Sequence, residues 1–211
     1  MFGIHDLPLF IASGLLLNAM PGPDSLLIVT RSAAQGWRAG SAAALGIGTG
    51  TCVHVLGAAL GLSAVLATSA SAFMVVKMVG AAYLLYLGIR LLIAPGTPAA
   101  PRAIAPPALP LRTVFAQGFL TNVLNPKVAL FFLAFVPQFI EATAPSKALA
   151  FIVLGSVFYV NSMLWCHALA VFAAAAGRRV RLDTSAARWL NRLVGAMFVS
   201  FGLRLALAGR G

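Results

Sequence analysis

The sequence predicts an all-α integral membrane protein: six transmembrane helices arranged as two inverted three-helix repeats, with helices 1 and 4 broken. Three observations lead there. Only 9% of the 211 residues are charged against 61% hydrophobic, with a mean hydropathy of +0.96, whereas a soluble domain carries about 25% charged residues. No Asp, Glu, Lys or Arg interrupts the chain between Arg38 and Lys77 or between Lys147 and Arg178, and each run exceeds the roughly 20 residues needed to span a bilayer. The basic residues, finally, are sorted by loop.

The first apolar segment, about 7 to 30, is interrupted by NAMPGPDS, residues 18 to 25. MFGIHD before it holds no Lys or Arg and carries Asp6, unlike the basic start of a secretory signal, so this helix is expected to stay. Segment two, about 39 to 66, contains Cys52, His54 and the pairs Gly46/Gly50 and Gly57/Gly61, whose spacing lets helices approach closely within a monomer or between protomers. A monomer and a homodimer both stay open. Segment three, about 72 to 93, has Lys77 and Arg90 toward its ends, placed to snorkel to the headgroups.

The linker PGTPAAPRAIAPPALP, within about 94 to 112, is too proline-rich for a helix and separates repeat one, about 7 to 93, from repeat two, about 113 to 208. Residues 1–211 then form a single transmembrane domain. Segment four, about 113 to 140, carries Asn122, Asn125, Pro126 and Lys127; segment five, about 147 to 176, carries Asn161, Cys166 and His167; segment six covers about 187 to 208. Cys52 and Cys166 have no Cys-x-x-Cys or Cys/His spacing, so neither disulfide nor zinc is indicated, and both are expected as small core residues.

Arg31, Arg38, Arg90, Arg102, Arg112, Arg178, Arg179, Arg181, Arg188 and Arg192 fall on one side of the predicted topology. Only Lys77, Lys147, Arg204 and Arg210 fall on the other. The positive-inside rule makes the arginine side cytoplasmic and leaves both termini outside. The net charge of +11 is therefore topological and calls for no nucleic acid, with a lipid-headgroup or nucleic-acid patch at RRVRLDTSAAR as the alternative reading.

The halves resemble each other where the prolines lie. GLLLNAMPGPDSLLIV from Gly14 aligns without gaps on GFLTNVLNPKVALFFL from Gly118, pairing Gly14 with Gly118, Asn18 with Asn122 and Leu26 with Leu130. Three crossings per half would insert the second half upside down, as in many secondary transporters.

Pro21 and Pro23 remove backbone donors and Gly22 adds freedom, so segment one should be two half-helices; Asn125-Pro126-Lys127 does the same in segment four. A break at membrane depth must be sheltered by protein or line a wet cavity. Asp24 lies in the first turn after its break, where the helix dipole returns about 0.3 to 1 kcal/mol, less than the roughly 2.5 to 3.5 kcal/mol that an acid costs at the bilayer centre. Lys127, just after Pro126, opposes the dipole and needs an anion, either Asp24 or a substrate carboxylate. Asn18, Asn122 and Asn125 can satisfy freed backbone groups or touch substrate. His54, Asn161 and His167, with Asp24, are candidates for a proton path, with interhelical hydrogen bonding as the alternative.

PGPD at 21 to 24, KMVGAAYLLYLGIRLL at 77 to 92 and GFLTNVLNPK at 118 to 127 together resemble the LysE/RhtB family of bacterial amino-acid exporters, over about residues 12 to 207. The resemblance implies a multi-pass secondary exporter of the bacterial inner membrane, driven by protons and without a cofactor. Its substrates would be amino acids or close derivatives, such as threonine, homoserine, homoserine lactone or a basic amino acid. Carried onto this sequence, the family's motif positions are Pro21, Gly22, Pro23, Asp24, Asn125, Pro126 and Lys127. On this reading the chain is no enzyme, and its partners are the amino acid, protons and the bilayer. Two rivals stand beside it. A membrane redox carrier would need Cys52 and Cys166 as a reactive pair, and a divalent-metal exporter would use His54, His167 and Asp24, with no further intramembrane carboxylate to complete a ligand set.

Overall fold

In the computed structural model the described residues are 2–62, 70–93 and 108–176, with separate positions between 189 and 207. Among them every regular element is helical.

The first predicted segment is two helices, α1 (Leu7–Ala19) and α2 (Pro23–Gln35). α1 ends where Met20 turns extended, φ −66° and ψ 124°, the conformation imposed on a residue before proline. Pro23 opens α2 at its first position, where the missing N–H would have had no helical partner. Gly22 between them is fully extended, φ −159° and ψ −179°, a backbone open to any residue. The freedom expected of this glycine is therefore not what the break uses.

α3 (Trp37–Gly57) runs on into a π-helical turn, Ala58–Leu62, and α4 covers Ala70–Ile93. The fourth predicted segment is α5 (Leu111–Val123) and α6 (Pro126–Leu130), continued by π-helical Phe131–Phe135 and 3-10 Val136–Phe139. The two parts are bent by 46° at Leu124–Asn125. α7 is the 30-residue helix Lys147–Ala176. Among the described residues two helices, Trp37–Gly61 and Lys147–Ala176, are long and apolar enough to cross a membrane, and three spans result when the bent pair is taken as one. Most of the sixth predicted segment, the linker at 94 to 107, and Arg178, Arg179, Arg181 and Arg188 lie outside the described residues.

Small residues set the helix contacts. A Cβ on Gly46 would run into the Phe115 carbonyl, one on Gly118 into the Ala43 carbonyl, and one on Gly50 would stand 2.9 Å from the Asn122 side chain, so α3 and α5 touch backbone to backbone. α1 meets α7 through Gly14, whose Cβ would lie 3.2 Å from the Phe158 ring. α4 meets the sixth segment through Gly88 against Gly195 and Gly202 against Leu85. Gly57 and Gly61 have nothing within 4 Å of such a Cβ among the described residues; of the two Gly-xxx-Gly pairs, Gly46/Gly50 is the one seen packing against another described helix.

The interior divides into two apolar clusters. One is aromatic, with Phe10, Phe131, Phe132, Phe135, Phe151 and Phe158, whose rings lie at centroid distances such as 4.6 Å for Phe131 and Phe158. The other is built of small residues around Ile28, Ala43, Ala44, Ile47, Cys166 and Ala170. Each is closed by a polar clasp. Beyond the aromatic cluster, His5 N donates to Phe139 O at 3.1 Å and Glu141 N to Gly3 O at 2.8 Å. On the arginine side, buried Arg31 donates to Gln117 Oε1 at 3.0 Å and Gln35 Nε2 to Leu109 O at 2.9 Å. Leu60 and Leu164, 72% and 68% exposed, belong to an apolar outer surface suited to acyl chains. Cys52 is on that surface, beside exposed Val53 and Leu56, and is not the core residue expected; Cys166 is buried.

Gly46→Ala is expected to cost about 1–3 kcal/mol by overpacking, whereas Gly57→Ala, with open space and a better helix former, should be neutral or stabilising by up to about 1 kcal/mol. Thermal unfolding of the purified variants in detergent separates the two; equal midpoints would contradict the close α3–α5 contact.

Candidate functional site

The two breaks lie against each other. Asn122 Nδ2 and Asn125 Nδ2 both donate to Asp24 Oδ2, at 2.9 and 3.1 Å. In the opposite sense, Lys127 Nζ donates to the carbonyls of Leu17 at 3.2 Å and Met20 at 3.5 Å.

Proline dictates which carbonyls need help. In an unbroken helix the carbonyl of residue 17 accepts from the N–H of residue 21, and residue 21 is proline. Lys127 supplies that hydrogen bond from the other half of the chain. The carbonyl of Asn122 loses its donor to Pro126 in the same way. It accepts instead from the Asn125 N–H at 2.9 Å and from His54 Nε2 at 3.0 Å. Because a carbonyl only accepts, Nε2 must carry the proton. The His54 ring is stacked on Phe132, with centroids 6.3 Å apart and planes at 5°.

The asparagines work at both ends. Asn125 Oδ1 accepts from the Lys127 backbone N–H at 3.0 Å and so caps α6. Asn122, also buried, faces Thr51 Oγ1 with its Oδ1 at 3.4 Å. Lys127 and Asp24 form no ion pair. The lysine cation sits at the carbonyl end of α1, where a helix presents its negative pole, so its partner is the broken backbone rather than the carboxylate. Gly22 makes room for it: a Cβ there would stand 3.3 Å from Nζ. Asp24, in the first turn of α2, takes the favourable end of that helix.

Between the aromatic and small-residue clusters these groups border a cavity of about 20 Å³, room for about one water molecule. Leu17, Ile47, Val128 and Phe158 give it apolar walls, and Asn18, Asp24, Thr51, Asn122, Lys127 and Trp165 bring polar atoms to it. Three buried atoms of its lining have no hydrogen-bond partner among the described residues: Asp24 Oδ1, Asn18 Nδ2 and Trp165 Nε1. One accepts and two donate.

Other predicted residues stand elsewhere. His54 does not line the cavity, and neither does His167, whose Nδ1 is 2.9 Å from the Met163 carbonyl one turn back. Asn161 lies against α1, its Nδ2 3.9 Å from where a Gly14 Cβ would be. The histidines and the carboxylate of the metal reading are thus engaged separately, and no group of three ligating side chains occurs among the described residues. Cys52 and Cys166 are unbridged, one exposed and one buried. Thr51, and on α7 Ser162, Trp165 and Cys166, also reach the cavity, and of these the sequence had singled out Cys166 alone, as a core or redox residue. The last three recur at i, i+3 and i+4 on α7, a spacing that marks one helix face.

Lys127→Met keeps the stem and removes the donor, and should cost about 1–3 kcal/mol by stranding the Leu17 carbonyl. Adding Pro21→Ala restores an N–H to that carbonyl, so the double variant should regain part of the loss. Thermal unfolding of all four proteins gives the coupling; strict additivity would contradict the carbonyl clasp.

Comparison with known proteins is consistent with this geometry. A leucine efflux protein of Salmonella typhimurium is 29% identical over 205 residues, covering 97% of this chain and 96% of the relative. An uncharacterized membrane protein of Pseudomonas aeruginosa is 34% identical over 213 residues, covering 98% and 97%. One of Bacillus subtilis is 29% identical over 212 residues, covering 97% and 100%. No solved structure matches the chain. The family model for LysE type translocators matches residues 15–209, and with both proline breaks inside that range the chain belongs to the LysE translocator family.

Proposed function

We propose that the protein is a proton-coupled secondary exporter of amino acids in the bacterial inner membrane, and that its substrate binds between the two breaks. The observation that carries this reading is Asp24 Oδ1: a buried carboxylate oxygen with no donor among the described residues, in a cavity shared with two donors likewise unpartnered there, Asn18 Nδ2 and Trp165 Nε1. That set of one acceptor and two donors complements a zwitterion. The substrate ammonium goes to Asp24 Oδ1, and its carboxylate to Asn18, Trp165 and the N–H of Lys127 not directed at Leu17 or Met20. Leu17, Ile47, Val128 and Phe158 suit an aliphatic side chain, in keeping with the name of the Salmonella relative.

The cavity of about 20 Å³ is far too small for an amino acid, so helices must part for loading and release. The repeat plan supplies the parts. α1 meets α7 at Gly14, and α5 meets α3 at the aligned Gly118. Under an inverted repeat these are equivalent pairs, segments one and five against four and two. Six spans, about 7 to 93 and 113 to 208 in a single transmembrane domain, are the arrangement we favour, with both termini outside.

Proton coupling follows from competition at one atom. Oδ2 is held by two amide donors, whereas Oδ1 is free to take either the substrate ammonium or a proton. Protonation at Oδ1 breaks no hydrogen bond and removes the charge that retains the ammonium. Export of the amino acid and return of the proton are then alternate occupancies of Asp24. His54, Asn161 and His167 are assigned no step in this exchange.

In proteoliposomes with labelled leucine, Asp24→Asn should abolish efflux driven by a proton gradient. Trp165→Phe, losing one hydrogen bond to a charged group, should weaken apparent affinity roughly ten- to hundredfold. Undiminished proton-driven efflux in Asp24→Asn would remove the carboxylate from the mechanism.

A further inference from the structure

A second concavity lies on the outside of the protein at the arginine end. It is a groove of about 420 Å³ between the start of α3 and the start of α5, bordered by Trp37, Arg38, Ser41, Leu45, Arg112 and Phe115. Its walls are apolar and open to the surroundings: Trp37, Leu45, Leu111 and Phe115 are 53%, 50%, 49% and 37% exposed. Since Trp37 begins the span Trp37–Gly61, the groove starts at the membrane boundary and follows the helix inward. Aromatic and basic residues concentrate at that depth.

The rim carries two cations with no acidic partner among the described residues. Arg38 and Arg112, on different helices, are both exposed. The Arg38 guanidinium sits over the Trp37 ring at 5.8 Å from its centroid, and no carboxylate pairs with either arginine among the described residues. The chain has four acids in all. Asp24 is engaged at the breaks; Asp6 and Glu141 belong to the opposite end, where Ile4 bridges Ile140; Asp183 lies outside the described residues. Among the described residues neither arginine has an acidic partner, and an anion supplied by the bilayer can answer both.

We propose that this groove is a binding site for an anionic phospholipid, its phosphate held between Arg38 and Arg112 and an acyl chain lying along Leu45 and Phe115. A free phosphate would use the arginines and leave the apolar walls bare. A net-neutral lipid would use the walls but bring its own cation to a rim that already carries two. A diacyl anionic lipid uses both, and basic pockets between helices at this level bind such headgroups. The site is independent of what the protein carries.

Native mass spectrometry of the detergent-purified full chain, titrated with phosphatidylglycerol or phosphatidylcholine, tests the assignment. The wild type should retain phosphatidylglycerol in preference to phosphatidylcholine. Arg38→Gln with Arg112→Gln should lower its affinity by about thirtyfold, two cations at roughly fivefold each. Ser41→Phe, which keeps both charges and fills the groove, should also weaken it, while the charge-matched pair Arg90→Gln with Arg192→Gln, exposed but outside the groove, should retain it. No preference in the wild type, undiminished binding in either groove variant, or equal loss in both arginine pairs would overturn the site, the last by making the attraction diffuse.

Discussion

The polar layer of this fold is arranged around two of the carbonyls that proline deprives of their donors. In water such groups would cost little, but within an apolar bundle an unsatisfied backbone carbonyl is expensive. Leu17 O and Asn122 O are the two positions four residues before Pro21 and Pro126, and both receive a side chain from elsewhere in the sequence, Lys127 for one and His54 for the other. Satisfying them forces the halves of the chain into contact. The breaks are therefore cross-links between the two halves of the chain as much as interruptions of helices.

The same requirement explains why charge is tolerated here. Lys127 is stabilised by carbonyls at the end of α1, and Asp24 by the amides of Asn122 and Asn125 and by the start of α2. Each ion is met by dipoles from the other half of the chain, and Asp24 also by its own helix, so neither needs the other. A Lys127–Asp24 ion pair would have saturated both and left the polar layer inert. Because the carboxylate is held through Oδ2 alone, Oδ1 keeps its capacity to accept, and the cavity beside it keeps a chemical purpose.

Much of this was legible in the sequence because proline and charge in an apolar run are costly signals. The broken first and fourth segments, the place of Asp24 after its break, the approach of Gly46 and Gly50 and the involvement of Asn122 and Asn125 all follow from residue types at fixed positions. The partners were not legible. Nothing local in the sequence says that Lys127 reaches back to Leu17, since that contact spans 110 positions. Nor does an apolar helix announce which face is lined. Ser162, Trp165 and Cys166 look like ordinary residues of α7 until α1 and α5 are placed against it. Cys52 looked like core for the same reason, because hydropathy cannot distinguish a protein-facing from a lipid-facing side when both are apolar.

The two clusters flanking the polar layer differ in a way that bears on how the bundle parts. Around Ala43, Ala44 and Gly118 the helices are in backbone contact, so separating them strips close packing along a whole interface. Around Phe10, Phe131 and Phe158 the space is filled by ring side chains, on helical stretches that already include a π-helical and a 3-10 segment, Phe131–Phe135 and Val136–Phe139. Such segments often mark hinges and functional sites, and a side-chain-filled interface can rearrange by rotamer change where a backbone contact cannot. Under the transport reading, the aromatic side is thus where access to Asp24 opens at least structural cost, and the small-residue side is the fixed frame against which it moves.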